Sequence, residues 1–260
     1  MSNLSEQLTI ALITKNEAHH LPECLKSVQD LGGSMVIIDS GSTDETPEIA
    51  RQFGAEFHVF PDWQGFGRQR NRAHQFIQTP WVLWLDADER LSATTRQDII
   101  QQISQIQPDG KTLFSINRLS MVYGREIRHS GWYPDRVVRC YPVKYTQYSD
   151  DLVHESVVVP NGAKVVELKG DVLHYTYADI AQFMRKSAQY AQLWAQQKKQ
   201  QGKKVHLHTA VIHGAMNFLK TYVLKAGFLD GKQGFLLATL SAYSVFCKYA
   251  QLWVLNHERK

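Results

Sequence analysis

Nine residues constrain this chain more than any other stretch: Trp81-Val82-Leu83-Trp84-Leu85-Asp86-Ala87-Asp88-Glu89. Five apolar residues run directly into two carboxylates set one residue apart. A short continuous apolar run reads as a strand buried on both faces, as in a parallel sheet. Ligands of open α/β sheets gather at the carboxyl ends of such strands. Asp86 and Asp88 are therefore expected at the rim of a sheet. They point the same way if the strand stays extended, and both then reach one hard cation. A plain acidic lead-in to a helix starting at Ser92 fits the same residues, and the pair alone does not choose between the readings.

At 260 residues and 43% hydrophobic content, the chain suits one large domain or one domain with an appendage. Residues 1–10 have no basic start and no long apolar run, so no secretory signal is expected. Cys24, Cys140 and Cys247 are far apart and odd in number. They match neither a zinc spacing nor a disulfide framework, which points to reduced thiols in a cytoplasmic protein. The net charge of +4 is uneven: residues 203–260 carry +6 and residues 1–202 carry −2.

Upstream of the opening stretch, Leu8–Ile13 reads as a strand of β-branched character, ending in the polar turn Thr14-Lys15-Asn16-Glu17. A helix from His20 to Gln29 follows, with Leu21, Leu25 and Val28 on one face. Met35–Ile38 is a second strand, running into Asp39-Ser40-Gly41-Ser42-Thr43-Asp44. Ser42 with Glu45 fits a capping box that opens a helix through Phe53. Asp39 then ends a buried strand beside a helix N-terminus, a place suited to a base, ribose or phosphate. Ala55–Phe60 is a third strand. Arg68, Arg70, Asn71 and Arg72 open a helix to Ile77, whose basic start reads either as a diphosphate partner or as a solvated charge run. Four strands alternating with helices imply βαβ units and a mostly parallel sheet. The glycine-rich dinucleotide and phosphate-loop signatures are absent, which weighs against a nicotinamide dehydrogenase and a nucleoside triphosphatase.

In this order and spacing, Thr14-Lys15-Asn16-Glu17, Asp39 to Asp44, Arg70-Asn71 and Asp86-Ala87-Asp88 resemble an inverting family 2 glycosyltransferase of the GT-A fold. The resemblance implies an α/β domain with a Rossmann-like, mostly parallel sheet flanked by helices. It also implies a nucleotide-sugar pocket built from Thr14, Asn16, Glu17, Asp39, Ser42, Arg70, Asp86 and Ala87. By resemblance, Asp39 contacts the base, usually uridine. Asp88 holds Mg²⁺ or Mn²⁺ on the diphosphate, and Asp86 supports it near the ribose. Carboxylates suit such an oxygen-rich cation site.

The second half of this domain is where the family builds its acceptor site. Ser92 to Ile106 reads as a helix, Pro108-Asp109-Gly110 as a turn, and 112–118, 121–123, 136–141 and 153–159 as strands, several of them antiparallel. Inverting transfer needs a base for the acceptor hydroxyl, standing apart from the metal pair. Glu155 is the first choice, with Asp151 and Asp150 in reserve. Gly131-Trp132-Tyr133-Pro134-Asp135 and Val153-His154-Glu155 resemble a subgroup acting on bacterial lipopolysaccharide core. Trp132 and His154 are acceptor-side candidates, and both are equally good structural residues; His174 is open to the same two readings.

The C-terminal part reads as three helices: from Tyr177 to Lys199, His206–Phe228 and Gln233–Leu255. Phe235–Cys247 is mostly apolar but shorter than the roughly 20 residues a bilayer crossing needs. Apolar and aromatic residues with interspersed lysines suggest helices lying on an anionic membrane, or else a hairpin packed on the catalytic domain or a second subunit. The expected organisation is a catalytic domain over 1–176, split near residue 90 into nucleotide-sugar and acceptor halves, and a basic helical appendage over 177–260. The resemblance extends to the beta-1,4-glucosyltransferases of lipooligosaccharide inner core. It implies transfer of glucose from UDP-glucose to a heptose, on the inner face of the cytoplasmic membrane. Another sugar with a lipid-linked or protein acceptor, and a non-catalytic nucleotide-sugar-binding scaffold, are the alternatives. Nucleic acid is not an expected partner, and homo-oligomers remain open.

Overall fold

The computed structural model describes residues 4–150, 155–177 and 179–257. Strand β1 (Leu8–Thr14) is followed by α1 (Leu21–Val28), β2 (Ser34–Asp39), α2 (Thr46–Gln52), β3 (Glu56–Val59), α3 (Phe66–Asn71), β4 (Trp81–Asp86), β5 (Glu89–Leu91) and α4 (Ala93–Gln105). The chain continues through β6 (Thr112–Val122), β7 (Arg125–Glu126), β8 (Arg136–Pro142) and β9 (Lys164–Tyr177). Helices α5 (Ile180–Gln200), α6 (Leu207–Leu219) and α7 (Gly231–His257) complete it.

One nine-stranded sheet runs in the order β3-β2-β1-β4-β8-β6-β9-β5, with β7 paired to β6. β1 lies parallel to both β2 and β4, and β2 parallel to β3. Their apolar runs are covered on both faces, which is why they lack alternation. One face packs on Leu21 and Leu25 of α1 and Ile99 and Ile103 of α4; the other packs on Ala73, Ile77, Tyr141 and Tyr148. Beyond β4 the sheet continues antiparallel through β8 and β6, and β5 pairs antiparallel with β9. The parallel register sets Thr14 beside Asp39 and Ile13 beside Asp86. The carboxyl ends of three strands thus share one edge.

Several local expectations are corrected. The expected strands over 112–118 and 121–123 merge into one continuous strand, β6, which stops at Val122; Tyr123 turns with φ +49°. Val157 makes a single bridge to Tyr148, and no strand forms over 155–159; Val153 lies outside the described residues. The sequence reading missed β9, at 14 residues a long strand. Glu167, Lys169 and Asp171 interrupt its apolar pattern, and Gly170 takes φ +84° in its middle. The expected helix over 206–228 stops early: α6 ends at Leu219, a π turn spans Lys220–Leu224, and Ala226 adopts a left-handed conformation. Ala178 lies outside the described residues; Asp179 caps α5 by accepting from the Gln182 N–H.

The chain divides into two compact units: Met1–Arg118 with Asp135–His174, and Leu119–Pro134 with Tyr175–Lys260. In the second, α6 meets α7 through small residues. A Cβ on Gly214 would lie 3.2 Å from the Ala242 carbonyl oxygen and 3.4 Å from the Phe246 Cβ. A large side chain there must separate the helices. Gly214→Leu is expected to cost about 1–3 kcal/mol, as overpacking does. Urea unfolding followed by circular dichroism checks this; an unchanged midpoint would refute the close helix contact.

Candidate active site

Two loops leave the shared edge and are laced together. Asn16 sits in the left-handed region, φ +56°. Its Oδ1 accepts from the Thr43 N–H at 2.8 Å, and its own N–H donates to Ser42 Oγ at 2.8 Å. The Glu17 N–H donates to Thr46 Oγ1 at 2.8 Å, and the Ala18 N–H to Asp44 at 3.1 Å. Gly41, at φ +87°, makes the turn that folds the second loop back on its own strand end. At the centre is Asp39, which is buried. Its Oδ1 accepts from the Gly41 and Ser42 N–H groups, and its Oδ2 from the Thr14 and Ser42 hydroxyls. Those four donors fill the acceptor positions of its two oxygens. Asp39 therefore shapes the loop from inside. Ser42 serves Asp39 and Asn16 instead of capping a helix: α2 begins at Thr46 behind Glu45, without a side-chain cap.

The opening carboxylates part company. β4 ends at Asp86, the chain turns over Ala87 and Asp88, and β5 starts at Glu89. The extended geometry that would aim Asp86 and Asp88 alike is absent. Asp86 Oδ1 accepts from Arg70 Nη2 at 2.7 Å, and Oδ2 from Arg139 Nη2 at 2.6 Å. Arg139 also donates to Glu89 Oε1 at 2.8 Å, and Arg70 Nη1 to Glu155 Oε1 at 2.8 Å. Glu89 closes the circuit by accepting from the Asp86 N–H at 2.9 Å. The result is a continuous chain of charges, Glu155–Arg70–Asp86–Arg139–Glu89. Burial works to raise the Asp86 pKa, but Arg139 and then Arg70 outweigh it and hold this carboxyl well below the usual range. Glu89, fully buried, is pushed up chiefly by burial, against the pull of Arg139.

Asp88 faces a different neighbour. Its Oδ2 lies 3.3 Å from His174 Nε2 on β9. His20 is close enough to feel Asp88, although burial dominates and lowers its pKa. A carboxylate oxygen and an imidazole nitrogen converge here, and they are the pair that could hold a divalent cation. Among the described residues no group of three or more His, Cys, Asp or Glu side chains converges for that purpose.

The loop carrying Glu155 is pinned to α3. The Asn71 side chain bonds both backbone groups of Tyr148, at 2.9 and 3.0 Å. A Cβ on Gly67 would overlap the Ser149 carbonyl, so a bare backbone is needed where the loop passes. The Arg70 guanidinium lies 4.9 Å from the Tyr148 ring centroid. Asp150 is exposed and lines a cleft of about 490 Å³ with Arg68, Asn71 and Arg72. Asp151 and His154 lie outside the described residues. Trp132 belongs to the second unit, where it packs beside Val122, Ile127 and Leu237. It is half-buried, and its ring centroid is 6.3 Å from that of Tyr177.

The structure thus gathers Thr14, Asn16, Asp39 and Ser42 at one point, and Arg70, Asp86 and Glu155 at another. Sequence reasoning overlooked Arg139 and Glu89. The signal was available in Val137-Val138-Arg139-Cys140-Tyr141: a cation inside an apolar strand needs a buried carboxylate. Arg139→Met strands Glu89 and half of Asp86 without a counter-charge. Breaking such a buried pair costs about 3–5 kcal/mol, which denaturant unfolding will read. The Asp86 contribution has a defined pH window. A depressed folded-state pKa adds stability above the unfolded value, near 4, and loses it as pH falls toward the folded value. The stability gap between the protein and Asp86→Asn should be flat from pH 7 to about 4 and shrink below that. A gap that shrinks already between pH 7 and 5 would contradict this account.

Comparison with known proteins follows the same pattern. The sequence profile of Glycosyl transferase family 2 matches residues 9–152. An uncharacterized glycosyltransferase of Rickettsia prowazekii is 28% identical over 254 residues, 95% of this chain and 87% of that protein. The lipopolysaccharide core biosynthesis glycosyltransferase LpsC of Rhizobium meliloti is 25% identical over 95% of this chain and 92% of its own. Among solved structures, the mannosyltransferase PcManGT of Pyrobaculum calidifontis, in complex with GDP-Man and Mn²⁺, superposes with a TM-score of 0.52. It is 14% identical, covering 95% of this chain and 87% of that one, and the likeness establishes the GT-A type of α/β fold.

Proposed function

The chain belongs to glycosyl transferase family 2, and on that premise we propose that it moves a hexose from a nucleotide-sugar to a lipid-linked saccharide with inversion. UDP-glucose as donor and an inner-core heptose as acceptor are the specific form of this proposal. The relationship to LpsC supports the lipopolysaccharide reading. An acceptor of that kind puts the protein at the anionic inner face of the cytoplasmic membrane.

The observation that carries the proposal is the charge chain from Glu155 to Glu89, which ends one carboxylate, Glu155, well away in sequence from Asp88. In the proposed reaction an acceptor hydroxyl attacks the anomeric carbon from the face opposite the diphosphate. The new carbon–oxygen bond forms as the bond to the diphosphate oxygen breaks, and the nucleoside diphosphate leaves. Glu155 takes the hydroxyl proton. Arg70 holds the Glu155 carboxylate in place through Oε1 and is itself held by Asp86. The laced loops around Asp39 form the wall against which base and ribose lie. Asp88 and His174 would hold a divalent cation, Mg²⁺ or Mn²⁺, through a carboxylate oxygen and an imidazole nitrogen. When bound, the cation supplies charge neutralisation on the departing diphosphate.

The decisive experiment is a thermal-shift panel of nucleotide-sugars with and without Mn²⁺. Ligands that bind only the folded state raise apparent stability. UDP-hexoses should raise the transition only with the metal, and Asp88→Ala should remove the metal-dependent part. Glu155→Gln should keep the donor-induced shift and lose transfer by about 10²–10⁴-fold, the usual contribution of a general base. A Glu155→Gln enzyme transferring at full rate would exclude this residue as the base. No shift with any nucleotide-sugar would count against the transferase reading itself.

A further inference from the structure

Helix α6 carries two seams with related spacing. Ala210, Gly214 and, in the following π turn, Thr221 are buried at i, i+4 and i+11. This is the seam that meets α7 at Ala242 and Phe246. Two residues further round, Ile212, Met216, Leu219 and Val223 repeat the pattern at i, i+4, i+7 and i+11. With Val211 they face outward, each between 49% and 59% exposed. A surface helix of a soluble protein places polar residues there, and an apolar outward seam needs cover of its own. The apolar surface continues past the helix. Leu224, Phe228, Leu229 and Phe235 are exposed. The Tyr222 ring contacts Phe228 at 6.3 Å and Phe235 at 5.6 Å between centroids, tying this turn to α6.

Charge narrows what the cover can be. Lys220, Lys225 and Lys232 are exposed along the same stretch. Between Lys203 and His257 the one acid is Asp230, and it is 2% exposed. Its carboxylate is turned inward, accepting from the Arg128 and His129 N–H groups and the Ser130 hydroxyl. Residues 203–257 therefore present apolar side chains and lysines, and no exposed carboxylate. A second copy is a poor cover. Two-fold pairing of this face would bring the three lysines toward their own equivalents, and Glu126, the exposed acid that lines a cleft with Leu229, is already paired with Arg128 at 2.9 Å. No helix among the described residues is long and apolar enough to cross a membrane.

We infer that the outward seam of α6, with the Phe228–Leu229 turn and Phe235, is the element that lies in an anionic lipid leaflet. The apolar seam enters the boundary of the acyl region, and Lys220, Lys225 and Lys232 lie on the lipid phosphates. The inference rests on the lipid-linked acceptor reading for its purpose, although its geometry is that of the second unit alone.

The test uses the full chain and vesicles of phosphatidylcholine with or without phosphatidylglycerol, read by flotation. The protein should float with phosphatidylglycerol vesicles and much less with phosphatidylcholine alone, and added salt should weaken the binding. The variant Ile212→Ser/Met216→Ser/Leu219→Ser removes only exposed side chains. It should lower partitioning by more than about tenfold, since each apolar group lost from the interface weakens binding. Lys220→Glu/Lys225→Glu/Lys232→Glu should abolish the preference for phosphatidylglycerol. Thermal shift with UDP-hexose and Mn²⁺ is run on every variant. A donor response that persists while flotation is lost separates failure of docking from failure of the transferase reading. Absence of flotation by the unaltered protein, or unchanged flotation of the serine variant, overturns the inference. So does a lipid-free dimer, seen by light scattering, that the serine variant disperses, because the face is then covered by a second copy.

Discussion

The bidentate grip of two guanidinium groups on Asp86 is the interaction on which the rest of the first unit depends. Asp86 is the last residue of the central strand β4, Arg70 comes from α3, and Arg139 from β8. Each charge would be costly to bury alone, and each becomes tolerable only because the others are in place. One carboxylate thereby ties a helix and an antiparallel strand to the end of the parallel sheet. Glu89 and Glu155 extend the same circuit in opposite directions, so the position of the proposed base is fixed by a residue that is itself fixed by the sheet.

The circuit also separates duties that the sequence merges. Asp86 and Asp88 are two residues apart, yet one spends both oxygens on arginines while the other faces a histidine from β9. The turn over Ala87 and Asp88 makes that possible. Asp39 is a parallel case. Its oxygens are satisfied by its own loop and by Thr14, so what it contributes is the shape of that loop. Rigid loops laced by their own side chains lose little freedom when a ligand arrives, which is the advantage of preorganisation.

In the second unit the deciding constraint is different. Small residues let α6 lie close on α7, and that closeness uses only one narrow seam. The outward seam of α6, with Ile212, Met216 and Leu219, is left exposed among the described residues. Where the first unit resolves buried charge by pairing, the second leaves exposed apolar surface whose partner must come from outside the unit.

How much was legible in the residues differs by level. The apolar runs at Leu8, Met35 and Trp81 determined three buried parallel strands, because a segment covered on both faces needs no polar alternation. The polar residues at their ends marked the shared edge of the sheet, because a chain leaving such a strand must meet water. The tetrad of motifs around Asn16, Asp39, Arg70 and Asp86 determined the family. The sequence did not reveal β9, whose charged residues and central glycine hide its strand character, nor the partners of Asp86. Arg139 lies 53 positions away from that carboxylate, and only the antiparallel addition of β8 beside β4 brings it within 2.6 Å. Local pattern records what each segment must bury. Which charges meet is decided by strand order, since a buried ion pair is selected by the three-dimensional neighbourhood that removes its water.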